Sequence, residues 1–294
     1  MNPALLEPAA RLAAGTSEEC VAFTWEALPL RGVLSLPAGE VRRLLLTVHG
    51  WASVRGGPSG LLARLCRQAA GEGWAALRFD LPGRGESEGA YGETDLDDMI
   101  DAVLAACGWL RGRFPGRPLY LAGICSGANV ALAAAALGEE VAGVLALSAL
   151  PYQEHRGTRE RLRRSWGHLK TYFRKALRLS TWKRLFRGEV DLAGVGRTIA
   201  SSDASPGRGR NLKESRRDIP ALLRRYRGRL LLAWGEKDEE RHPAERYFRR
   251  LLEQARLDTF CLPGADHNYY GREHHRAVFR LLERLADDRV EAAP

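Results

Sequence analysis

Residues 119–137 read Leu-Tyr-Leu-Ala-Gly-Ile-Cys-Ser-Gly-Ala-Asn-Val-Ala-Leu-Ala-Ala-Ala-Ala-Leu, a short apolar run that passes through two glycines into an alanine-rich stretch. The first part has the character of a buried strand and the last part that of a helix. A strand that turns at once into a helix puts its corner residue in strained backbone, and the positions two before and two after must be small for the chains to pass. Gly123 and Gly127 meet that need around Cys125. With Ser126 at the corner, the flanks would be Ile124 and Ala128, and a β-branched isoleucine fits the tight side poorly. The register favours Cys125 as a nucleophile; the competing reading is a small buried apolar side chain beside packing glycines.

Outward from this corner, strands alternate with helices. Residues 21–25 and 30–36 read as two short antiparallel strands, with Pro29 and Gly32 as interruptions. Residues 41–48 form a strongly apolar run ending at His49-Gly50-Trp51, residues 60–72 carry Leu61, Leu62, Leu65 and Ala69 at helical spacing, and 74–79 is a second buried strand. Residues 94–113 open with Asp95, Asp97 and Asp98, acids suited to a first helical turn. Strands follow at 141–147, 229–234 and 259–262. This order predicts an α/β fold with a mostly parallel sheet and helices on both faces. The alternation breaks at 151–226, which reads as a basic helical cap inserted between core segments 1–150 and 227–294.

A cysteine nucleophile needs a base to hold it as thiolate and an acid behind that base to fix its tautomer. After the 229–234 strand comes Gly235-Glu-Lys-Asp238, and after the 259–262 strand comes Pro263-Gly-Ala-Asp-His267. Both follow carboxyl ends of expected strands, as the cysteine corner does. Asp238 is therefore the orienting acid, with Glu236 as substitute, and His267 the base. His242, His274 and His275 are set aside, the last two as solvent-facing helix residues, and Asp266 as a residue that shapes the histidine loop. The developing oxyanion of an attacked carbonyl needs preplaced donors, assigned to the backbone N–H groups of Ser126 and Trp51. Trp51, Leu150 and Tyr152 are candidates to line the substrate pocket.

The stretches His49-Gly50-Trp51, Asp80-Leu-Pro-Gly-Arg-Gly-Glu-Ser-Glu-Gly89, Gly123-Ile-Cys-Ser-Gly127, Gly235-Glu-Lys-Asp238 and Gly264-Ala-Asp-His267, in this order, resemble the α/β-hydrolase superfamily over the whole chain outside the insertion. The likeness is to its cap-bearing branch, similar to serine aminopeptidases and monoglyceride lipases. The departure is cysteine for the family's serine. In that respect the chain resembles dienelactone hydrolases, polyester synthases and the small hydrolases associated with exosortase and exopolysaccharide gene clusters; the stretch Ser180-Thr-Trp-Lys-Arg-Leu-Phe-Arg-Gly188 is also similar to the last group. The resemblance implies an α/β-hydrolase fold, a Cys125–His267–Asp238 triad and a covalent acyl-enzyme. Thiolate attack suits thioesters and activated esters, so hydrolysis of such a substrate is expected, with acyl transfer to an amine or alcohol as an alternative.

The 294 residues are 45% hydrophobic, enough for a full core, and the net charge is +9. That charge is concentrated: residues 156–187 hold twelve Lys or Arg against the single Glu160. One reading of this stretch is a solvated face. Otherwise it suits an acyl carrier protein or the phosphates of coenzyme A, and the interleaved Trp166, Tyr172, Phe173, Trp182 and Phe186 also suit an anionic membrane surface. No single-strand module accompanies it, which argues against nucleic acid. A non-catalytic binding module that uses the basic segment to hold an acidic partner is the remaining alternative. Five widely spaced cysteines without a Cys-x-x-Cys pair or a histidine cluster predict reduced thiols, no metal and no cofactor. With neither a secretory leader nor a membrane-spanning run in the sequence, a cytoplasmic location is expected.

Overall fold

The structure is a computed structural model that describes residues 9–11, 15–138, 140–152, 215–252 and 256–287. The described strands form one nine-stranded sheet in the order β1-β2-β3-β5-β4-β6-β7-β8-β9. Strands β1 (Ala9–Arg11), β2 (Ser17–Trp25) and β3 (Leu28–Leu36) form an antiparallel meander whose last strand runs antiparallel to β5 (Trp74–Phe79). From there every pairing is parallel, through β4 (Arg43–Val48), β6 (Leu119–Ile124), β7 (Val141–Leu147), β8 (Arg229–Gly235) and β9 (Leu257–Leu262). Strands β5 and β6 are buried along their whole length, as parallel strands covered on both faces must be.

Alternate residues of these strands feed two cores. On one face α2 (Leu96–Arg113), α3 (Ser126–Leu137) and the short α4 (Ile219–Leu223) pack over Leu44, Leu46, Leu121 and Val144. On the other, α1 (Leu61–Gly71) and α6 (Arg272–Leu285) cover Leu45, Ala76, Ala122 and Leu145. A last helix, α5 (Arg241–Leu251), follows β8. The acids expected at the start of α2 close a capping box: the Asp95 carboxylate accepts the Asp98 N–H at 3.0 Å and the Asp98 carboxylate accepts the Asp95 N–H at 2.7 Å. Among the described residues no helix is long and apolar enough to cross a membrane.

Three expectations change. Pro29 and Gly32 do not interrupt the second strand but lie inside β3, which starts at Leu28, two residues earlier than expected, after a turn at Glu26-Ala27, both with positive φ. His275 does not face solvent: it shares the buried stripe of α6 with Val278, Leu282 and Leu285, and its Nδ1 lies 3.2 Å from an Arg64 guanidinium nitrogen. Of the expected cap 151–226, residues 153–214 fall outside the described residues. The flanks on either side belong to the sheet's own core, where Tyr152, Ile219, Leu223 and Tyr226 are buried.

Candidate active site

Cys125 stands between β6 and α3 with φ +57° and ψ −129°, the strained corner that the sequence implies. The small flanking residues are required by contact. A Cβ on Gly127 would lie 2.3 Å from the His49 carbonyl oxygen, and one on Gly123 would lie 2.3 Å from that of Gly127. The carboxyl end of β4 thus presses directly on the corner. This contact brings the next residues, Gly50 and Trp51, beside Cys125 and Ser126. Cys125 is half-buried at the amino terminus of α3, where the helix dipole favours an anion.

The partners arrive from two further strand ends. Asp238 follows β8 and is almost wholly buried; its Oδ2 lies 2.9 Å from His267 Nδ1 and its Oδ1 accepts the Glu240 N–H at 3.1 Å. The loops that carry the two residues are tied together by backbone bonds from Glu236 N–H to Leu262 and from Lys237 N–H to Ala265, at 3.0 and 2.8 Å. Glu236, the substitute acid, is committed elsewhere: it accepts the Gly264 N–H at 2.8 Å. Asp266 accepts the N–H groups of Asn268 and Tyr270 and shapes the histidine loop, as expected.

Electrostatics join these groups into one unit. The Asp238 hydrogen bond, followed by a hydrogen bond with the Cys125 sulfur, raises His267 to about 10 against the opposing effect of burial. Burial pushes the Cys125 thiol up, but the His267 hydrogen bond and charge, with the N–H and hydroxyl of Ser126, outweigh it and hold the thiol below its ordinary value. Asp238 is likewise lowered; desolvation opposes this and the bonds from His267 and Ser148 prevail. Each of the three shifts favours the charged form of its group, with His267 between the thiol and the carboxylate.

The N–H of Trp51, the expected oxyanion donor, points at the Ser126 hydroxyl oxygen, 2.6 Å away. The loop is braced from behind. The Arg84 guanidinium donates to the Trp51 carbonyl at 2.9 Å and lies 4.8 Å over the indole, while His49 Nε2 accepts the Leu81 N–H at 3.0 Å. Asp80 gathers the N–H of Arg55 and of Glu86 together with the Arg55 side chain. Asp80 and Arg84 of the 80–89 motif therefore support the site without entering it.

Leu150 and Tyr152 are held by one residue, Asn129 of α3: its side-chain amide bonds Leu150 N–H and C=O at 3.0 and 2.6 Å, and its carbonyl accepts the Tyr152 hydroxyl at 2.6 Å. Tyr152 is buried against Phe248, and its polar group is already spent. Ser148 and Tyr269 were missed from sequence. Ser148, just past β7 with φ +49°, is within hydrogen-bond distance of the His267 carbonyl and the Tyr269 hydroxyl, and Tyr269 donates to the Ala233 carbonyl at 2.7 Å. A serine at a strand's carboxyl end and a tyrosine two residues past the histidine were the available signals.

The sequence profile of the alpha/beta hydrolase family matches residues 45–281. The chain belongs to that family. Like this alpha/beta hydrolase, an esterase from Pyrococcus furiosus has the fold at a TM-score of 0.66 and 19% identity, over 91% of this chain and 90% of that one. A structure from Butyrivibrio proteoclasticus with ferulic acid bound gives 0.60 and 17%, over 91% and 100%; a dienelactone hydrolase from Anabaena variabilis gives 0.59 and 18%, over 92% and 97%. With so little sequence in common these likenesses describe the fold and not a substrate. No curated protein matches the chain.

Proposed function

We propose that this alpha/beta hydrolase cleaves a thioester or an activated ester through Cys125, His267 and Asp238. The observation that carries the reading is the charge-coupled series Asp238–His267–Cys125 at the carboxyl ends of three strands of one sheet. The Cys125 thiolate attacks the acyl carbonyl carbon, the π electrons move to oxygen, and the N–H groups of Trp51 and Ser126 receive that charge. The imidazolium then gives its proton to the leaving thiol or alcohol as the tetrahedral intermediate collapses to an acyl-cysteine. Neutral His267 next takes a proton from water, whose oxygen attacks the thioester carbonyl, and the acid leaves as the thiolate and imidazolium are restored.

A cysteine supports thioesters over amides, because thiolate is a poor match for expelling an amine. The resulting acyl-cysteine stays energetic enough to acylate an amine or alcohol, so a transferase would use the same first half. The basic stretch 156–187 supports an acidic carrier, such as an acyl carrier protein or coenzyme A, as the bearer of the acyl group. Incubation with a p-nitrophenyl ester or an acyl thioester should give an acyl mass increase on the Cys125 peptide, absent in Cys125→Ala. Turnover by Cys125→Ala at the wild-type rate would overturn the reading. Added hydroxylamine or an alcohol separates the two acceptors by product.

A further inference from the structure

The N–H of Trp51, one of the two donors assigned to the oxyanion, is already occupied: it donates to Ser126 Oγ at 2.6 Å. The Ser126 side chain thus stands in the place that a carbonyl oxygen would take, since an oxyanion must come within about 3 Å of the same N–H. Ser126 is also the residue next to the nucleophile, at the first position of α3, and its backbone N–H is the other donor. A hydroxyl that accepts from Trp51 still has one proton to give. A Cβ added to Gly50 would lie 3.5 Å from Cys125 Cβ and 3.7 Å from Ser126 Oγ, so both side chains front the same narrow space.

We infer that the Ser126 hydroxyl is a third catalytic donor, which donates a hydrogen bond to the Cys125 sulfur in the resting enzyme and to the substrate oxyanion during attack. The inference rests on the triad reading given above. The resting half follows from the shared space of the two side chains, and it agrees in direction with the lowering of the Cys125 thiol, to which Ser126 contributes after His267. The second half follows from where charge moves. As the carbon–sulfur bond forms, negative charge leaves sulfur for the carbonyl oxygen. The arriving oxygen takes the Trp51 N–H, and the displaced hydroxyl turns about its Cα–Cβ bond to point at the oxygen. No proton changes owner in this step; the hydroxyl only changes the acceptor it serves. Trp51 N–H stays bonded throughout, to Oγ at rest and to the oxyanion afterwards, so the pocket never holds an unpaired buried donor.

The test compares wild type, Ser126→Ala and Ser126→Thr, first by the pH dependence of iodoacetamide alkylation mapped to the Cys125 peptide, then by kcat and KM on a p-nitrophenyl ester. For Ser126→Ala the inference expects the alkylation profile to move to higher pH by about one unit and kcat to fall roughly 10- to 100-fold, with KM within about twofold. Ser126→Thr, which keeps the hydroxyl, should restore both to within about threefold. An unchanged alkylation profile and kcat in Ser126→Ala would overturn the inference, as would a faster Ser126→Ala enzyme, which would show the hydroxyl to be only a plug on the Trp51 N–H. If wild-type Cys125 neither alkylates below the ordinary thiol range nor turns over the ester, the triad reading itself fails, whatever Ser126 does.

Discussion

Asp238→Asn removes one negative charge while leaving shape almost unchanged, and it isolates what the carboxylate does for His267. Asp238 Oδ2 is 2.9 Å from Nδ1, the carboxylate is 2% exposed and the imidazole side chain 32%. Opposite unit charges at that separation attract by roughly 6 kcal/mol at an effective dielectric of about 20. Water reaching the imidazole screens the pair, so about half of this, ~3 kcal/mol, is the usable part. At about 1.4 kcal/mol per tenfold, the population of the thiolate–imidazolium pair falls on the order of a hundredfold. The amide can also donate to Nδ1 and force the wrong tautomer, which extends the loss toward roughly 10⁴. The fold should survive, because the side-chain oxygen of the substituted amide can still accept the Glu240 N–H that Oδ1 now holds. The assay is kcat/KM on a p-nitrophenyl ester together with the alkylation rate of Cys125 at neutral pH, with the thermal midpoint as control. A variant that keeps kcat/KM within about threefold and alkylates like wild type would refute the coupling on which the active-site reading depends.

Gly127→Ala should lower unfolding free energy by roughly 3 kcal/mol or prevent folding, because the new Cβ would sit 2.3 Å from the His49 carbonyl oxygen; an unchanged denaturant midpoint would contradict the tight crossing. Burial would push Glu18 up, but bonds from Arg67, Arg78 and Ser35 bring it down to about 2 from an ordinary 4.5. Its contribution to stability is therefore present above pH 4.5 and lost as pH falls through about 2. Glu18→Gln should cost roughly 2–4 kcal/mol at neutral pH, with the gap to wild type closing across that window in pH-dependent melts. Burial raises Cys66 to about 11 and Cys107 to about 12, so neither should alkylate in the folded protein, and Cys125 should label fastest, as read by peptide mapping. Ser148→Ala should cut kcat roughly tenfold with KM little changed, since it loosens Asp238 and the His267 loop without touching substrate; an equal loss in KM would argue against a positioning role.

The parts of this molecule legible in the sequence are those where a local requirement leaves few residue choices. Gly123 and Gly127 around Cys125 read correctly because any Cβ at either position would lie 2.3 Å from a neighbouring carbonyl oxygen. Buried parallel strands such as β5 and β6 read correctly because both faces demand apolar side chains. The hairpin turn did not, because Glu26-Ala27 adopts positive φ at both positions without the Asn-Gly signature, and tertiary pairing of β2 with β3 overrides their preference. His275 was misread because a histidine on the stripe of an amphipathic helix looks polar in sequence, yet its neutral ring packs like an apolar one; burial and the nearby Arg64 charge keep it so. Ser148 and Tyr269 were illegible for another reason. Their role exists only once three strand ends lie side by side, and the residues they serve are 90 or more positions away for Ser148 and 36 for Tyr269 with Ala233.

The way these strand ends meet also fixes the candidate site through the backbone. The site's three arms are fixed by backbone contacts: Gly127 lies against the end of β4, Gly235 against the carbonyls of Ala265 and Asp266, and the Lys237 N–H against Ala265. Side chains can vary around such crossings without moving Cys125, His267 or Asp238. The described residues on either side of 153–214 are held by α2 and α3. Asn129 holds residues 150 and 152, while Asp97 takes the Ser215 hydroxyl and the Arg216 N–H and Asp101 forms a two-pronged pair with Arg217 at 2.8 Å. Asp97→Asn weakens one of these ties and touches no triad residue, so it should lower the thermal midpoint while leaving the alkylation of Cys125 unchanged; a slowed alkylation would show that the tie reaches the elbow.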